Sequence, residues 1–286
     1  MNIILFSRKQ LKHHPEQLAI ILREIERYAM DYVVNEDFAD VIEATTGIAI
    51  APERRYSTTP KATGNDVMIT YGGDGTLLEA VALLPSDNIP VVGINSGRLG
   101  YLTADDGKGI EELFQTIARG ELRFDERLML QAEGLDLECT ALNEIAVHRF
   151  GSSMISVETL INDNYVATYH GDGLVIATPT GSTAYSLSAG GPVVDPQCRC
   201  FVLSPIAPHN LTMRPVVVPD SSSITLRISS RSGTALISAD NRTFTIEDGA
   251  EVRIRLAAKR LILALPHNNS FYDTLREKMM WGVDKR

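Results

Sequence analysis

The stretch Val67-Met68-Ile69-Thr70-Tyr71-Gly72-Gly73-Asp74-Gly75-Thr76-Leu77-Leu78 decides the architecture of the first half of this chain. Residues 67–71 form a short apolar run with the length of a buried strand. Gly72-Gly73-Asp74-Gly75 is a loop, and residues 77–84 have helical spacing until Pro85 stops them. A strand that leaves through glycines into a helix is the repeating unit of parallel α/β sheets. The same grammar extends outward from it. Residues 2–6 read as a buried strand, and Leu18, Ile21, Leu22, Ile25 and Ala29 recur at helical spacing after Pro15. Residues 31–34 read as a second strand, followed by a helix through Phe38, Val41 and Ile42. Residues 89–94 give another strand, and residues 110–118 a helix with Gly120 as its stop. This order predicts a Rossmann-like, parallel-sheet α/β domain over residues 1–120.

After Arg123 the helical period gives way to alternation, in residues 156–160, 165–169, 223–228, 242–246 and 251–256. Asn162-Asp163-Asn164 and Asp248-Gly249 read as hairpin turns. A β-rich, β-sandwich-like domain is therefore expected over residues 121–265. The C-terminal tail, about 266–286, is helix-compatible from Tyr272 to Trp281 and is expected to join the first domain.

The length of 286 residues agrees with roughly two domains of about 150. Hydrophobic residues make up 44% and charged residues 22%, an ordinary globular balance with enough chain for real cores. With 27 basic and 36 acidic residues the net charge is −9. That excludes a general nucleic-acid or anionic-membrane binder, which needs a basic footprint. No apolar run approaches the roughly 18 residues of a membrane span. Arg8 and Lys9 cut short the apolar start, so no secretory leader is expected. Three cysteines, Cys139, Cys198 and Cys200, are an odd number and point to reduced thiols in the cytoplasm. Cys198 and Cys200 lack a second ligand pair at zinc spacing, and no Gly-x-Ser-x-Gly elbow supports a hydrolase.

The loop at Gly72 carries the sharpest chemistry. Ligands of open α/β sheets bind at the carboxyl ends of strands. Glycines let backbone N–H groups approach phosphate oxygens, and a helix N-terminus adds a favourable dipole. A carboxylate inside such a loop opposes phosphate unless it holds Mg²⁺ or takes a proton from a hydroxyl. Both are tasks of phosphoryl transfer. A plain strand–helix turn with Asp74 as a cap is the structural alternative. Neither a Walker A loop nor G-x-G-x-x-G is present.

Gly72-Gly73-Asp74-Gly75-Thr76 resembles the signature of a kinase superfamily that includes NAD kinases, diacylglycerol and sphingosine-type lipid kinases and, more distantly, 6-phosphofructokinases. Four further stretches resemble NAD kinases specifically. They are Gly93-Ile94-Asn95-Ser96-Gly97-Arg98-Leu99-Gly100-Tyr101-Leu102, Asn143-Glu144, the block from Gly171-Asp172-Gly173-Leu174 through Thr178-Pro179-Thr180-Gly181-Ser182-Thr183-Ala184-Tyr185-Ser186-Leu187-Ser188-Ala189-Gly190-Gly191-Pro192, and Pro205-Ile206-Ala207-Pro208-His209. The resemblance runs from residue 1 to about 270.

It implies ATP-dependent phosphorylation of the 2′-hydroxyl of the adenosine ribose of NAD, with a divalent metal, Mg²⁺, and ATP as co-substrate. Asp74 is implied as general base, with a place in metal binding also open to it. Gly72, Gly73, Gly75 and Thr76 are implied to cradle donor phosphates. The implied NAD contacts are Asp74, Gly75, Tyr101, Asn143, Glu144, His170, Asp172, Thr183, Ala184, Tyr185, Ser186, Ser188, Ala207 and Arg242. The residue types suit that ligand. Asn143 donates and accepts, and Glu144 and Asp172 accept from ribose hydroxyls. Thr183, Tyr185 and Ser188 offer hydroxyls, and Tyr185 a ring. Small residues at Gly181 and Ala184 permit close backbone approach. The resemblance further implies a site between the two domains and a homodimer or homotetramer.

Two stretches depart from the family pattern. Asp240-Asn241-Arg242 stands where relatives commonly read Asp-Gly-Gln; Asn241 is expected to take the left-handed turn conformation, and Arg242 to meet a phosphate or face solvent. Glu79 replaces a commonly basic residue, which leaves the source of positive charge near the phosphates open. Arg98 is one candidate. The competing functions are a lipid kinase of the same superfamily and a catalytically silent NAD(H) sensor. The paired motifs disfavour the first, and retention of Asp74 disfavours the second.

Overall fold

A computed structural model describes residues 1–9, 14–85, 87–97, 100–104, 107, 109–134, 139–267 and 270–282. The chain divides into two compact units, residues 1–126 with 261–286 and residues 127–260.

The first unit opens with β1 (Asn2–Phe6), α1 (Pro15–Arg27), β2 (Asp31–Asn35), α2 (Glu36–Thr46), β3 (Arg55–Tyr56), β4 (Asp66–Tyr71), α3 (Asp74–Ala82), β5 (Val91–Ile94), α4 (Ile110–Arg119) and β6 (Arg123–Arg127). Pro15 sits in the first turn of α1, where its missing N–H costs nothing, and Leu18, Ile21, Leu22 and Ile25 form the buried stripe. Gly120 caps α4 in the left-handed conformation, φ 67°. α3 ends at Ala82 with Leu83 as its cap, ahead of the expected stop, and Leu84, which precedes Pro85, is disfavoured in the helical region.

The second unit contains β7 (Leu130–Glu133), β8 (Cys139–Ala141), β9 (Glu144–Arg149), β10 (Ile155–Ile161), β11 (Asn164–Gly171), β12 (Gly173–Ala177), the short α5 (Tyr185–Ser188), β13 (Cys200–Ile206), β14 (Val216–Pro219), β15 (Ile224–Ser230), β16 (Thr234–Ala239), β17 (Arg242–Glu247) and β18 (Glu251–Leu256). The chain then returns to the first unit with β19 (Leu261–Leu265) and α6 (Phe271–Met279).

The first sheet has the order β3-β2-β1-β4-β5-β19-β6. β1 pairs in parallel with both β2 and β4, so the chain reverses its direction of winding between β1 and β4. Ile3, Leu5, Val34, Ile69 and Val92 form its core with the helix stripes. The second unit is two antiparallel sheets, β11-β10-β15-β18-β7-β8 and β14-β13-β12-β9-β16-β17. Inward residues of both, among them Val157, Leu226 and Ile254 from one and Val147, Ile176 and Leu203 from the other, merge into one core. That is a β-sandwich. Burying each such side chain contributes about 1.5–3 kcal/mol.

Three expectations are corrected. The division expected at 120/121 and 265/266 assigns residues 123–127 and 261–265 to the β-rich domain, but β6 and β19 belong to the first sheet. β6 lies at the sheet edge beside β19, and β19 pairs with β5 from far along the chain, a partnership that leaves no local signal in the sequence. Asp248-Gly249 is not a hairpin, since β17 pairs with β16 and β18 with β15 and β7; the turn passes from one sheet to the other. In the two-residue turn between β16 and β17, Asp240 adopts positive φ, 50°, and Asn241 does not.

Candidate functional site

In the first unit, β4 delivers Gly72, Gly73 and Asp74 to the carboxyl edge of the sheet, and Asp74 is the first residue of α3. The first N–H groups of a helix lack the α-helical acceptors that later ones have. Among the described residues, a side chain at Gly73 would meet nothing within 4 Å, which leaves room over the loop. Thr76 is buried, and its backbone N–H donates to the Gly73 carbonyl at 2.9 Å, closing the turn.

The Asp74 carboxylate is held by two amides. Tyr101 N–H donates to Oδ2 at 2.8 Å and Leu102 N–H to Oδ1 at 3.1 Å. This explains Gly100: a Cβ there would lie 1.8 Å from Asp74 Oδ1. Each oxygen retains a further lone pair, so the fixed carboxylate can still accept a proton or bind a cation. Tyr101 packs on Phe271 of α6, with ring centroids 6.4 Å apart, and under the Lys278 ammonium. Burial first, and the Asp74 charge second, raise the Tyr101 hydroxyl above its ordinary value. Arg98 lies outside the described residues.

Among the described residues, a cation at this loop is Arg8, which the sequence did not assign. Its Nη2 donates to the Gly75 carbonyl at 2.6 Å and its Nε to Glu79 Oε2 at 2.5 Å. The available signal was topological: Arg8 follows β1, the strand beside β4. His14 meets the Ser96 carbonyl through Nε2 at 3.0 Å.

In the second unit, Asn143-Glu144 enters β9 at a turn organised by Asp240. One carboxylate oxygen of Asp240 accepts Leu142 N–H at 2.8 Å, and the other accepts Asn143 N–H at 2.8 Å and Glu144 N–H at 3.2 Å. Burial pushes the Asp240 carboxyl up, against these amides and Arg242, which pull it down. The segment after β12 closes on the same turn. Thr178 N–H donates to the Asn143 carbonyl at 2.9 Å, and a Cβ on Gly181 would lie 2.0 Å from that carbonyl oxygen. The close approach that Gly181 permits is thus to Asn143.

Glu144 is 9% exposed, and its Oε2 has no hydrogen-bond partner. Burial first, then the neighbouring Asp240 charge, push its carboxyl up to about 7, partly offset by a bond from Tyr185 N–H. The Tyr185 ring stacks on His148, with centroids 5.4 Å apart, and its hydroxyl is raised by burial and by the charges of Asp172 and Glu144. Burial lowers His148, which is therefore a neutral ring at pH 7. Asp172 pairs with Arg149 at 2.6 Å. His148 and Arg149 are further neighbours that sequence reasoning missed.

Tyr185, Glu144 and Asp172 are thus brought together, with Thr183 and Ala184 in the turn leading into α5. Ser186 is fully buried and shares a hydrogen bond with Ser204 at 3.0 Å, while Ser188 is exposed. His170 is exposed and its Nδ1 meets Ser156 Oγ at 2.7 Å. Ala207, with φ 42°, presents its carbonyl 2.7 Å from where a Cβ on Gly171 would sit. Arg242 is exposed and donates to the Thr140 carbonyl.

Fold and site together define a class: an α/β plus β protein with a phosphate-type glycine loop at the switch point of its parallel sheet. Residues 12–122 match the ATP-NAD kinase N-terminal domain and residues 142–264 the ATP-NAD kinase C-terminal domain. The chain is 35% identical over 291 residues to the NAD kinase of Bacteroides fragilis strain ATCC 25285, with 100% of each covered. It is 38% identical over 290 residues to the NAD kinase of Porphyromonas gingivalis strain ATCC 33277, covering 100% of this chain and 99% of that one. Among solved structures, yeast NADH kinase complexed with NADH superposes with a TM-score of 0.85 at 26% identity, covering 100% of this chain and 89% of the other. An NAD kinase from Archaeoglobus fulgidus in complex with ATP superposes with a TM-score of 0.76 at 25% identity, covering 98% and 99%. The chain belongs to the ATP-NAD kinase family.

Proposed function

We propose that this protein is an ATP-dependent NAD kinase that transfers the terminal phosphoryl group of ATP to the 2′-hydroxyl of the adenosine ribose of NAD, giving NADP. The observation that carries this reading is the Asp74 carboxylate, fixed by two amides beside an open glycine loop, in a chain of this family. Asp74 takes the proton of the attacking hydroxyl, a general-base role. Gly72, Gly73, Gly75 and Thr76 form the cradle of the donor phosphates: the Gly72 and Thr76 N–H groups, donated to the Ile94 and Gly73 carbonyls, fix its shape, and Gly73 and Gly75 let the phosphates approach the backbone at the helix N-terminus. Asn143, Glu144, Asp172 and the turn through Thr183, Ala184 and Tyr185 hold the dinucleotide, with Tyr101, His170, Ser186, Ser188, Ala207 and Arg242 at its margins. Catalysis of this kind is mostly positioning and charge neutralisation.

A divalent ion fits this set. Mg²⁺ is commonly bound through one or two carboxylates and the substrate's phosphates, and among the described residues no group of three His, Cys, Asp or Glu converges. Asp74 would hold it together with donor phosphates, and when bound the ion neutralises charge on them. The three free cysteines support a reducing, cytoplasmic setting. Among the described residues no helix is long and apolar enough to cross a membrane. Exposed Tyr165 and Val166 on edge strand β11, and Val216 and Val217 on edge strand β14, support a homodimer or homotetramer.

The test is direct. Purified protein with NAD, ATP and Mg²⁺ yields NADP. Asp74→Asn retains NAD binding and loses about 10²-fold to 10⁴-fold in turnover. Turnover near the wild-type rate in Asp74→Asn would rule out the base assignment.

A further inference from the structure

Two strand ends flank the switch point of the first sheet. β4 ends in the glycine loop, and β1, paired with it from Asn2 to Phe6, ends two residues before Arg8. Register therefore places Arg8 at the crevice where α/β sheets take their ligands. Its neighbour Lys9 turns away to Asp37 and Asp40 of α2, at 3.3 and 3.9 Å.

Among the described residues, the guanidinium is held from one side only. Nε is bound to Glu79 and one Nη2 hydrogen to the Gly75 carbonyl. Nη1 lies 3.4 Å from where a Cβ on Gly75 would sit, so the group runs alongside the loop. Its Nη1 hydrogens have no partner among the described residues. A guanidinium offers five donors in a rigid fork that matches phosphate oxygens in pairs. Glu79 thus acts as a bracket. It fixes the orientation of the fork and leaves the far edge free.

We propose that Arg8 is a donor-specific substrate-binding residue: its free edge grips the phosphate chain of the nucleotide donor at the glycine loop, and Glu79 positions it. This rests on the reading of that loop as the donor cradle. It also gives Glu79 a purpose where a cation was expected, since the cation arrives from β1 and Glu79 anchors it. Because the Arg8 and Glu79 side chains are 32% and 51% exposed, their ion pair contributes little to stability, and substitutions there leave the fold intact.

The experiment is steady-state kinetics with Mg²⁺-ATP varied at saturating NAD, and the converse. Arg8→Ala is expected to lower kcat/KM for ATP by about 10-fold to 100-fold, the range of a charge-assisted hydrogen bond, with KM for NAD within about twofold of wild type. Arg8→Lys retains the charge without the fork and falls between. Free guanidinium ion at non-denaturing concentration restores part of the Arg8→Ala loss and none of any loss in Glu79→Gln. A purely structural role would not show that rescue. Gly73→Val tests the loop separately, because its backbone is extended and its Cβ position open, so the variant folds but fills the cradle. If Gly73→Val abolishes use of ATP while Arg8→Ala stays within twofold of wild type, the loop reading stands and the Arg8 proposal is overturned. If Gly73→Val leaves ATP kinetics unchanged, the loop reading fails and takes this proposal with it. An equal loss toward ATP and NAD in Arg8→Ala also overturns it.

Discussion

Replacing Glu144 by Gln should stabilise the protein above pH 7 and leave its stability nearly unchanged below pH 4.5. The carboxyl is 9% exposed with an unpartnered oxygen, and its affinity for a proton is raised from 4.5 to about 7, by burial first and by Asp240 second. Between those two values the folded chain binds more protons than the unfolded chain. Stability therefore falls as pH rises through that window. Below it both states are protonated, and above it both are ionised, so the full penalty is present and constant. For this shift the penalty is roughly 3 kcal/mol. Gln keeps the shape and removes the charge, but its amide requires an acceptor, so a net gain of about 1–2 kcal/mol is expected. At roughly 2–4 °C per kcal/mol for a protein of this size, the melting temperature at pH 8 should rise by several degrees. The assay is thermal unfolding of both proteins from pH 4 to pH 8.5. A difference in melting temperature that does not change with pH would refute the argument, as would a variant less stable than wild type at pH 8.

Gly100→Ala places a methyl group 1.8 Å from Asp74 Oδ1 and must move the carboxylate; kcat should fall toward that of Asp74→Asn with little change in NAD affinity, and kinetics near wild type would show that the anchoring is dispensable. Asp172→Ala should raise KM for NAD by about tenfold and leave KM for ATP within about twofold; equal changes in both would remove Asp172 from the dinucleotide. Protein stripped with EDTA should lose NADP formation and regain it with Mg²⁺, and full activity in excess chelator would exclude the metal.

Local chemistry was legible in the sequence and long-range partnership was not. The strand, the glycine loop and α3 follow from spacing within about fifteen residues, and so does most of the alternation in the β half. The partners of these elements depend on strand order. Arg8 reaches Gly75 across 67 positions, and Asp240 reaches Asn143 across 97. Neither pairing leaves a periodic trace. Residue type gives no sign of an internal partner either. The hydroxyl of Ser186 reads as a ligand donor in the sequence, and the fold also pairs it with Ser204. The turn at Asp240 shows the converse. Its conformation was expected of Asn241, but the residue that takes positive φ is the one whose carboxylate must reach back to three amides.

These partnerships also answer the electrostatic problem that a net charge of −9 poses for a protein using two polyphosphate-bearing substrates. The acidic side chains placed in the candidate site are each compensated within their own unit. Asp74 faces two amides, and Asp240 faces three. Asp172 is paired with Arg149, and burial raises the Glu144 carboxyl to about 7, so that it carries only part of its charge near neutral pH. Glu79, the remaining carboxylate beside the glycine loop, is consumed by Arg8. A carboxylate fixed by amides or paired with a guanidinium projects far less field onto an approaching phosphate than a free one. The net charge then acts at long range, where salt screens it within about 10 Å, while among the described residues the local field at the loop is set by N–H groups and the Arg8 guanidinium. On this account the acidic balance of the chain and its use of anionic substrates are compatible, because the charges that count are the compensated ones.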